Sequence, residues 1–330
     1  MTRLYVLYTG GTIGSAGNPL RPMDGTAFGA LLGSLPAFAG GALAGTDIVW
    51  HLTCLDTPLD SANMRPADWL AIARNVHAVR EQYDGFVILH GTDTLAWTAA
   101  ALSYLFAGLS KPIVLTGSQR PLAAPASDAP ANLSQALLGA AGAEAGVYVA
   151  FGGALLPGSR VIKIDAAADR AFAAFGPAPA TGRAPWPGDE LVARASAGLA
   201  GADVACLGLY PGVSVDTLSA ILAPNLRGLV LLTYGVGNGP SDAAFLGALR
   251  AAHARGVVMV AVTQALSGGV RLGEYATGAG LSGAGVISGG IMTPMAAYAK
   301  LVLLRALGGT QGEVEAAMRQ DVCGEGAAGG

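Results

Sequence analysis

Apolar residues along the chain occur in short runs typical of β-strands, separated by longer stretches with helical character. The runs in the first half predict strands at Leu4–Tyr8, Phe86–His90, Ile113–Thr116 and Gly146–Phe151. The intervening stretches predict helices at Arg65–Gln82, Leu95–Leu105 and Ala129–Ala140. Similar runs in the second half predict strands at Val204–Leu209, Gly228–Tyr234 and Val257–Thr263. Strands that alternate with helices favour a parallel, doubly wound sheet, so we predict an α/β fold.

A proline-rich segment divides the pattern into two parts. Four prolines lie between Gly176 and Asp189, and proline at this density favours an extended linker. We therefore predict a larger N-terminal domain over residues 1–175, a linker over 176–203 and a smaller C-terminal α/β domain over 204–330. The tail from Gly324 to Gly330 holds only glycine, alanine and one glutamate, which predicts a frayed end.

Two threonine-rich turns follow strands of the first half. One contains Gly11 and Thr12, and the other contains Gly91, Thr92 and Asp93. Each turn lies at the carboxyl end of its strand, which is where ligands bind in open α/β sheets. Glycine lets the main chain approach a substrate, and neighbouring hydroxyl and N–H groups suit a hydroxyl nucleophile and an oxyanion site. Either turn alone is equally typical of a tight strand-to-helix connection, so the pair is the informative signal.

The two turns together resemble the signature motifs of the bacterial asparaginase and glutaminase-asparaginase family. Further motifs extend this resemblance over nearly the whole chain, at Leu59–Met64, Leu115–Pro121, Ser159–Lys163, Tyr234–Asn238 and Tyr275–Gly278. The last two look like the cytoplasmic, type I branch. The resemblance implies a two-domain asparaginase-like fold and hydrolysis of the side-chain amide of L-asparagine to L-aspartate and ammonia through an acyl-threonine intermediate. It also implies that no metal or organic cofactor takes part.

The resemblance assigns the catalytic roles to four residues. Thr12 corresponds to the nucleophile, and Thr92, Asp93 and Lys163 correspond to a hydrogen-bonded relay. A threonine hydroxyl is a weak nucleophile and needs a base or a polarising hydrogen bond to attack an amide carbon. Read from the residues alone, Thr12 also fits a cap on the first turn, and Lys163 fits a solvated lysine better than a catalytic one.

The resemblance also assigns a substrate-binding set, which comprises Gly11, Asp60, Ser61, Gly91, Thr92 and Asp93. An amino acid carries an ammonium and a carboxylate on one carbon, so its site needs an acceptor carboxylate beside hydroxyl or N–H donors. Asp60 and Ser61 suit such a substrate site as well as they suit a turn that caps the helix starting near Pro66. We expect Asp128 and Asn132 to support their loop and not to act in catalysis.

One departure from the family pattern concerns the segment that follows the first turn. Family members commonly carry a tyrosine there that closes over the substrate, and no tyrosine occurs between Gly14 and Leu31. Because of this departure, one alternative function stays open, which is that of a catalytically weak protein that binds or senses an amino acid. The other open alternatives are a relaxed glutaminase-asparaginase, with L-glutamine as a second substrate, and the amide-releasing subunit of a larger amidotransferase.

Composition limits the partners. The chain is 52% hydrophobic and 12% charged, which excludes general disorder, and no apolar run approaches the roughly 20 residues of a membrane span. A net charge of −3 without a basic block predicts no nucleic-acid partner. Three dispersed cysteines and the few residues before the first turn predict a cytoplasmic protein without a disulfide framework or zinc site. We expect a small-molecule substrate and a homodimer or homotetramer.

Overall fold

The computed structural model describes residues 1–176, 186–194 and 204–326 of the chain. The chain forms two compact units, Met1–Ala174 and Phe175–Gly330. Most of the linker predicted over 176–203 lies outside the described residues, and its described part contains a helix at Gly188–Arg194. The proposed boundaries of 1–175, 176–203 and 204–330 therefore stay a prediction.

The N-terminal unit is an α/β layer structure. Its strands are β1 (Thr2–Gly10), β2 (Ser15–Ala16), β3 (Arg21–Pro22), β4 (Ile48–Leu59), β5 (Gly85–Leu89), β6 (Pro112–Thr116), β7 (Gly146–Phe151), β8 (Ala154–Pro157), β9 (Val161–Lys163) and β10 (Phe172–Ala174). Its α-helices are α1 (Gly25–Gly33), α2 (Pro66–Val79), α3 (Leu95–Leu105) and α4 (Ala129–Gly142), and short 3-10 turns occur at Thr12–Gly14, Ala39–Gly41, Ser61–Asn63 and Gly158–Arg160.

The main sheet of this unit has the strand order β4-β1-β5-β6-β7-β8, and only β8 runs antiparallel to its neighbour. Alternate side chains of β1, such as Leu4 and Val6, pack with α1 and α4 on one face. Tyr5 and Leu7 are buried on the other face, where α2 and α3 contact the sheet. Helices on both faces make this a doubly wound sheet, as predicted, and β1, β4, β5 and β6 end at one edge.

The C-terminal unit repeats this arrangement at a smaller size. Its strands are β11 (Val204–Gly208), β12 (Gly228–Thr233), β13 (Val258–Thr263) and β14 (Val286–Ser288), and all pair in parallel in that order. Its helices are α5 (Gly188–Arg194), α6 (Val215–Ile221), α7 (Ala243–Ala254), α8 (Ala276–Gly283), α9 (Pro294–Leu307) and α10 (Gln311–Met318). The predicted strands of both halves are confirmed. In the described residues no helix is long and apolar enough to cross a membrane.

The predicted fraying of the tail is wrong for residues 324–326. Gly324 N–H donates to the Asp321 carboxylate at 2.7 Å, and the Gly326 carbonyl accepts a hydrogen bond from Ile291 N–H at 2.9 Å. Glu325 between them is fully buried. Long-range hydrogen bonds and an ion pair thus order a segment whose composition is that of a disordered end. Residues 327–330 lie outside the described part.

Candidate active site

The two threonine turns lie against each other at the carboxyl edge of the N-terminal sheet. Gly11 has a φ of 83°, and a Cβ atom at this position would lie 2.3 Å from the Gly91 backbone nitrogen. A Cβ atom on Gly91 would in turn lie 2.4 Å from Ser61 Oγ. Only glycine allows these three segments to approach so closely, because any side chain would push the backbones apart. The structure therefore brings together the turns after β1, β4 and β5, which contain the predicted site residues Thr12, Ser61 and Thr92.

Hydrogen bonds fix this junction. Thr9 Oγ1 donates to the Leu89 carbonyl at 2.8 Å, which joins the ends of β1 and β5. Thr94 Oγ1 donates to the Ser61 carbonyl at 2.8 Å, which joins the turn after β5 to the turn after β4. Thr94 was not among the predicted site residues, although it belongs to the same threonine-rich turn. Its hydroxyl makes it a structural link between the two turns.

Lys163 forms hydrogen bonds with both Thr92 and Asp93. Its Nζ donates to Thr92 Oγ1 at 3.0 Å and to Asp93 Oδ1 at 2.9 Å. The Thr92 residue is 6% exposed, whereas the Asp93 side chain is 64% exposed. The three residues therefore form one connected set in which a buried hydroxyl and a solvent-accessible carboxylate share a single ammonium. Such a set can hold or transfer a proton at Thr92 Oγ1 and still present a carboxylate to a bound cation.

Thr12 occupies the 3-10 turn that follows Gly11 and is partly buried. Within the described parts of the chain, its hydroxyl forms no hydrogen bond with a protein group. The backbone N–H groups of Gly91, Thr92 and Asp93 likewise have no protein acceptor among the described residues. Buried or partly buried N–H groups are normally paired, so unpaired donors at the carboxyl edge of a sheet indicate a place where a ligand supplies the acceptor.

Asp60 and Ser61 occupy different environments. Asp60 is exposed and its Oδ1 accepts a hydrogen bond from Ala62 N–H at 3.1 Å, so it caps the short Ser61–Asn63 turn. It does not cap α2, whose start is instead capped by Asp68, which accepts from Arg65 N–H at 2.7 Å. Ser61 is 3% exposed and lies against Gly91. The interpretation that Asp60 caps the helix starting near Pro66 is therefore wrong, because Asp60 caps the short turn before it. The second carboxylate oxygen of Asp60 stays open to a ligand, so the predicted substrate contact remains compatible with the geometry.

His90 is a fully buried residue between the two threonine turns. Its Nδ1 lies 2.7 Å from the Gly91 carbonyl, which can only accept, so Nδ1 carries the proton and Nε2 accepts from Thr98 Oγ1 at 2.9 Å. Burial lowers the pKa of His90 to about 4. A neutral imidazole with both nitrogens paired orients the Gly91 carbonyl. These contacts give His90 a structural role in holding the second turn.

The segment after Thr12 forms a small antiparallel hairpin from β2 and β3. Tyr8 lies beneath it, and its hydroxyl donates to the carbonyls of Gly14 at 3.1 Å and Met23 at 3.2 Å. Burial raises the pKa of Tyr8, so the hydroxyl stays protonated and remains a donor. The base of the hairpin is thus tied to β1 even though the hairpin itself contains no tyrosine. No group of His, Cys, Asp or Glu in the described ranges could hold a metal ion.

Comparisons with known proteins agree with this fold and site. The family profile "Asparaginase, N-terminal" matches residues 3–184, and "Glutaminase/Asparaginase C-terminal domain" matches residues 203–318. L-asparaginase 1 of Escherichia coli is 39% identical over 98% of this chain and 97% of its own length. The human 60 kDa lysophospholipase is 38% identical over 91% of this chain, which spans 57% of that protein.

A solved structure is similar over the same extent. The crystal structure of L-asparaginase I from Vibrio cholerae superposes with a TM-score of 0.82 at 35% identity and covers 98% of both chains. Fold and site thus define a two-domain α/β protein with a threonine-centred site at the edge of its first sheet. The chain belongs to the asparaginase family, and the resemblance predicted from its motifs is confirmed.

Proposed function

We propose that this protein is an L-asparagine amidohydrolase, which hydrolyses the side-chain amide to L-aspartate and ammonia. The observation that carries the proposal is the junction of the two threonine turns, where Lys163 Nζ contacts Thr92 Oγ1 and Asp93 Oδ1. Membership of a family whose relatives include the E. coli and V. cholerae L-asparaginases supports the same reaction. No step of it requires a metal or an organic cofactor.

The proposed reaction has two stages. The Thr12 hydroxyl oxygen attacks the amide carbon, its proton passes to the amide nitrogen, and the carbon–nitrogen bond breaks to release ammonia, while the unpaired backbone N–H groups of the second turn stabilise the oxyanion. A water molecule then attacks the resulting ester, and the set of Thr92, Asp93 and Lys163 passes one proton of this water to the departing Thr12 oxygen, which restores the Thr12 hydroxyl and releases L-aspartate. Each stage breaks one bond to the acyl carbon and forms one, so the threonine is regenerated in every turnover.

The substrate's two charged groups match the exposed polar groups of the same edge. Asp93 keeps most of its carboxylate in solvent and can bind the substrate ammonium, with Asp60 as a second acceptor. Gly11, Ser61 and Gly91 meet at the same point, so hydroxyl and N–H donors there can bind the α-carboxylate. The side chain of L-glutamine is one methylene longer, and L-glutamine carries the same ammonium and α-carboxylate. A relaxed glutaminase-asparaginase is therefore the nearest alternative.

An ammonia-release assay tests the reaction and its specificity. L-Asparagine, L-glutamine and D-asparagine are compared side by side, with Thr12→Ala as the inactive variant and Thr46→Ala as the matched control. Thr46 precedes β4 at the opposite edge of the sheet, and its hydroxyl donates to the Leu43 carbonyl at 2.8 Å. We expect the Thr46 variant to keep wild-type turnover. More than about a tenth of wild-type turnover in Thr12→Ala would place the nucleophile elsewhere, because general acid–base catalysis alone contributes at least a hundredfold.

Calorimetry separates attack from binding. Thr12→Ala should bind L-aspartate within about tenfold of wild type, since roughly 1.4 kcal/mol covers one lost neutral hydrogen bond. Asp93→Ala should bind it far more weakly, because a charge-assisted contact to the ammonium is lost. Equal affinities in the two variants would contradict the assignment of Asp93.

We further propose a cytoplasmic homodimer or homotetramer. Sedimentation of the purified protein and fractionation of the cells that produce it test the assembly and the compartment. A monomer that retains full activity would contradict an assembly that is needed for the site.

A further inference from the structure

The turn after β6 contains charged and amide residues that the proposed reaction does not use. Its backbone is held by Asp128, whose carboxylate accepts hydrogen bonds from Gln119 N–H at 2.9 Å and Arg120 N–H at 3.0 Å. Asn132 adds a hydrogen bond to the Gly117 carbonyl at 3.0 Å. The Asp128 side chain is 7% exposed, so this buried carboxylate fixes the turn to the start of α4. The turn is therefore a rigid platform.

This platform holds the tip of the β9–β10 hairpin, which comprises residues 164–171. Gln119 Nε2 donates to the Ala168 carbonyl at 3.1 Å, and Arg120 Nη2 contacts Asp169 Oδ1 at 2.8 Å. Arg120 is itself oriented, because its Nε donates to the Ala126 carbonyl at 2.8 Å. Its guanidinium thus joins the turn to the hairpin tip through an ion pair at the surface, with the Arg120 side chain held in a fixed orientation by the Ala126 carbonyl.

Lys163 lies where the paired strands of the hairpin meet its tip. Lys163 is the last residue of β9 and pairs with Phe172 across the hairpin. The tip is internally hydrogen bonded, since Asp165 Oδ1 accepts from the N–H groups of Ala167 and Ala168, both at 2.8 Å, and Ile164 N–H donates to the Ala171 carbonyl at 2.8 Å. A tip that holds its own shape moves as a unit, so its displacement would be transmitted to Lys163.

We propose that Arg120 is a positioning residue for Lys163. By holding Asp169, it keeps the β9–β10 hairpin in the position where Lys163 Nζ reaches Thr92 and Asp93. This inference rests on the proposed function, because it gives Arg120 a role only if Lys163 acts in the reaction. Among the described residues Arg120 forms no hydrogen bond or ion pair with Thr12, Thr92 or Asp93, so we expect its effect to pass through the hairpin.

The kinetic signature separates this role from a purely structural one. We expect Arg120→Gln to lower kcat about tenfold, since displacements near 1 Å remote from the chemistry can cost up to a hundredfold. KM should change by less than about threefold, because Asp93 stays in place to bind substrate. Asp169→Asn should reproduce the effect in weaker form. Glu81→Gln is the matched control, because it removes an exposed carboxylate that contacts Arg80 at 3.4 Å on the amino side of β5.

A double-mutant cycle tests whether Arg120 acts through Lys163. If it does, Arg120→Gln lowers kcat in the wild-type background and has no further effect in a Lys163→Met background. An equal loss in both backgrounds, or an unchanged kcat in Arg120→Gln, overturns the proposal.

Hydrogen exchange provides a second readout that does not need activity. Amides of residues 164–171 should exchange faster in Arg120→Gln and keep their wild-type rate in Glu81→Gln. Unchanged exchange in Arg120→Gln contradicts the holding role even if kcat falls. Faster exchange together with an unaffected kcat in Lys163→Met would instead show that Arg120 holds the hairpin while the proposed relay is wrong.

Discussion

Among the residues that the structure describes, each unit contains a lysine–carboxylate ion pair, and the two pairs have nearly the same length but differ in solvation. Lys163 and Asp93 lie 2.9 Å apart in the N-terminal unit, with side chains 20% and 64% exposed. Lys300 and Glu325 lie 2.7 Å apart in the C-terminal unit, and both side chains are fully buried. The nitrogen–oxygen distances of the two pairs do not distinguish them. The exposure of their side chains to water and ligands does.

The buried pair is surrounded by protein partners. Lys300 Nζ also donates to the carbonyls of Met318 and Gln320, and Glu325 accepts from the N–H groups of Val322 at 3.0 Å and Cys323 at 2.8 Å. Burial by itself raises the pKa of Glu325, and the Lys300 charge with the surrounding hydrogen bonds outweighs it, so the net pKa is lowered. This pair fastens the chain end to α9 and has no open position for a ligand.

The exposed pair has the opposite character. Lys163 divides its hydrogen bonds between a buried hydroxyl and a solvated carboxylate, which leaves Asp93 able to bind a second cation. An exposed pair contributes little to stability, typically below about 1 kcal/mol. We infer that the Lys300 pair acts on folding and the Lys163 pair on the reaction. Variants of each pair should therefore differ in whether they lose stability or activity.

The largest effect should come from Lys300→Met. It leaves Glu325 buried without its counter-charge, so we expect the free energy of unfolding to fall by about 3 to 5 kcal/mol. Urea unfolding measures this loss, and Lys163→Met is the matched control, with an expected change below about 1 kcal/mol. Equal losses in the two variants would remove the distinction between the pairs.

The next effect concerns His90, which lies beside the exposed pair and is nevertheless fully buried. Its folded pKa of about 4 is below its unfolded value, so its contribution to stability is complete above pH 6.5 and is lost as the pH falls toward 4. The expected loss at pH 4 is about 3 kcal/mol. Urea unfolding at pH 7 and pH 4 should show this loss of unfolding free energy in the wild type and not in His90→Gln. If the unfolding free energies of the two proteins fall equally between pH 7 and pH 4, His90 is not held neutral in the folded state.

A somewhat smaller effect, of about 2.7 kcal/mol in the activation barrier, is expected for Lys163→Met. It corresponds to a hundredfold lower kcat for ammonia release, the lower range for general acid–base catalysis. Lys300→Met should retain a near-normal kcat per folded molecule. A normal kcat in Lys163→Met would show that the exposed pair is only a surface contact.

The smallest effect should come from the double variant Lys300→Met with Glu325→Gln. It removes both buried charges and keeps an amide oxygen that can accept from Val322 and Cys323. We expect a destabilisation below about 2 kcal/mol, less than that of Lys300→Met alone, because no buried charge is left unpaired. If the double variant were as unstable as Lys300→Met alone, packing and not charge would be what stabilises the C-terminal segment.

The pattern of apolar and polar residues predicted the strands and helices whose buried side chains are neighbours in sequence. β5, β6 and β7 are continuous apolar runs between turns, and α3 and α4 follow them at the predicted positions. The strand β4 was missed because its side chains are only partly buried, so polar residues such as His51 and Thr53 interrupt the apolar pattern. The threonine turns were recognisable because their glycines and hydroxyls are adjacent in sequence.

Neighbouring residues were enough to predict the alternation of strands and helices, the two threonine turns and the family to which the chain belongs. The family motifs also implied that Lys163 meets Thr92, 71 positions away, and the fold supplies the distances of that contact. No sequence signal predicted that Glu325 meets Lys300, 25 positions away, because that contact depends on how the chain packs. Composition predicted a frayed tail and left Arg120 without a role, because burial and charge pairing arise from packing. The solvation that separates the two ion pairs is therefore a property of the folded chain.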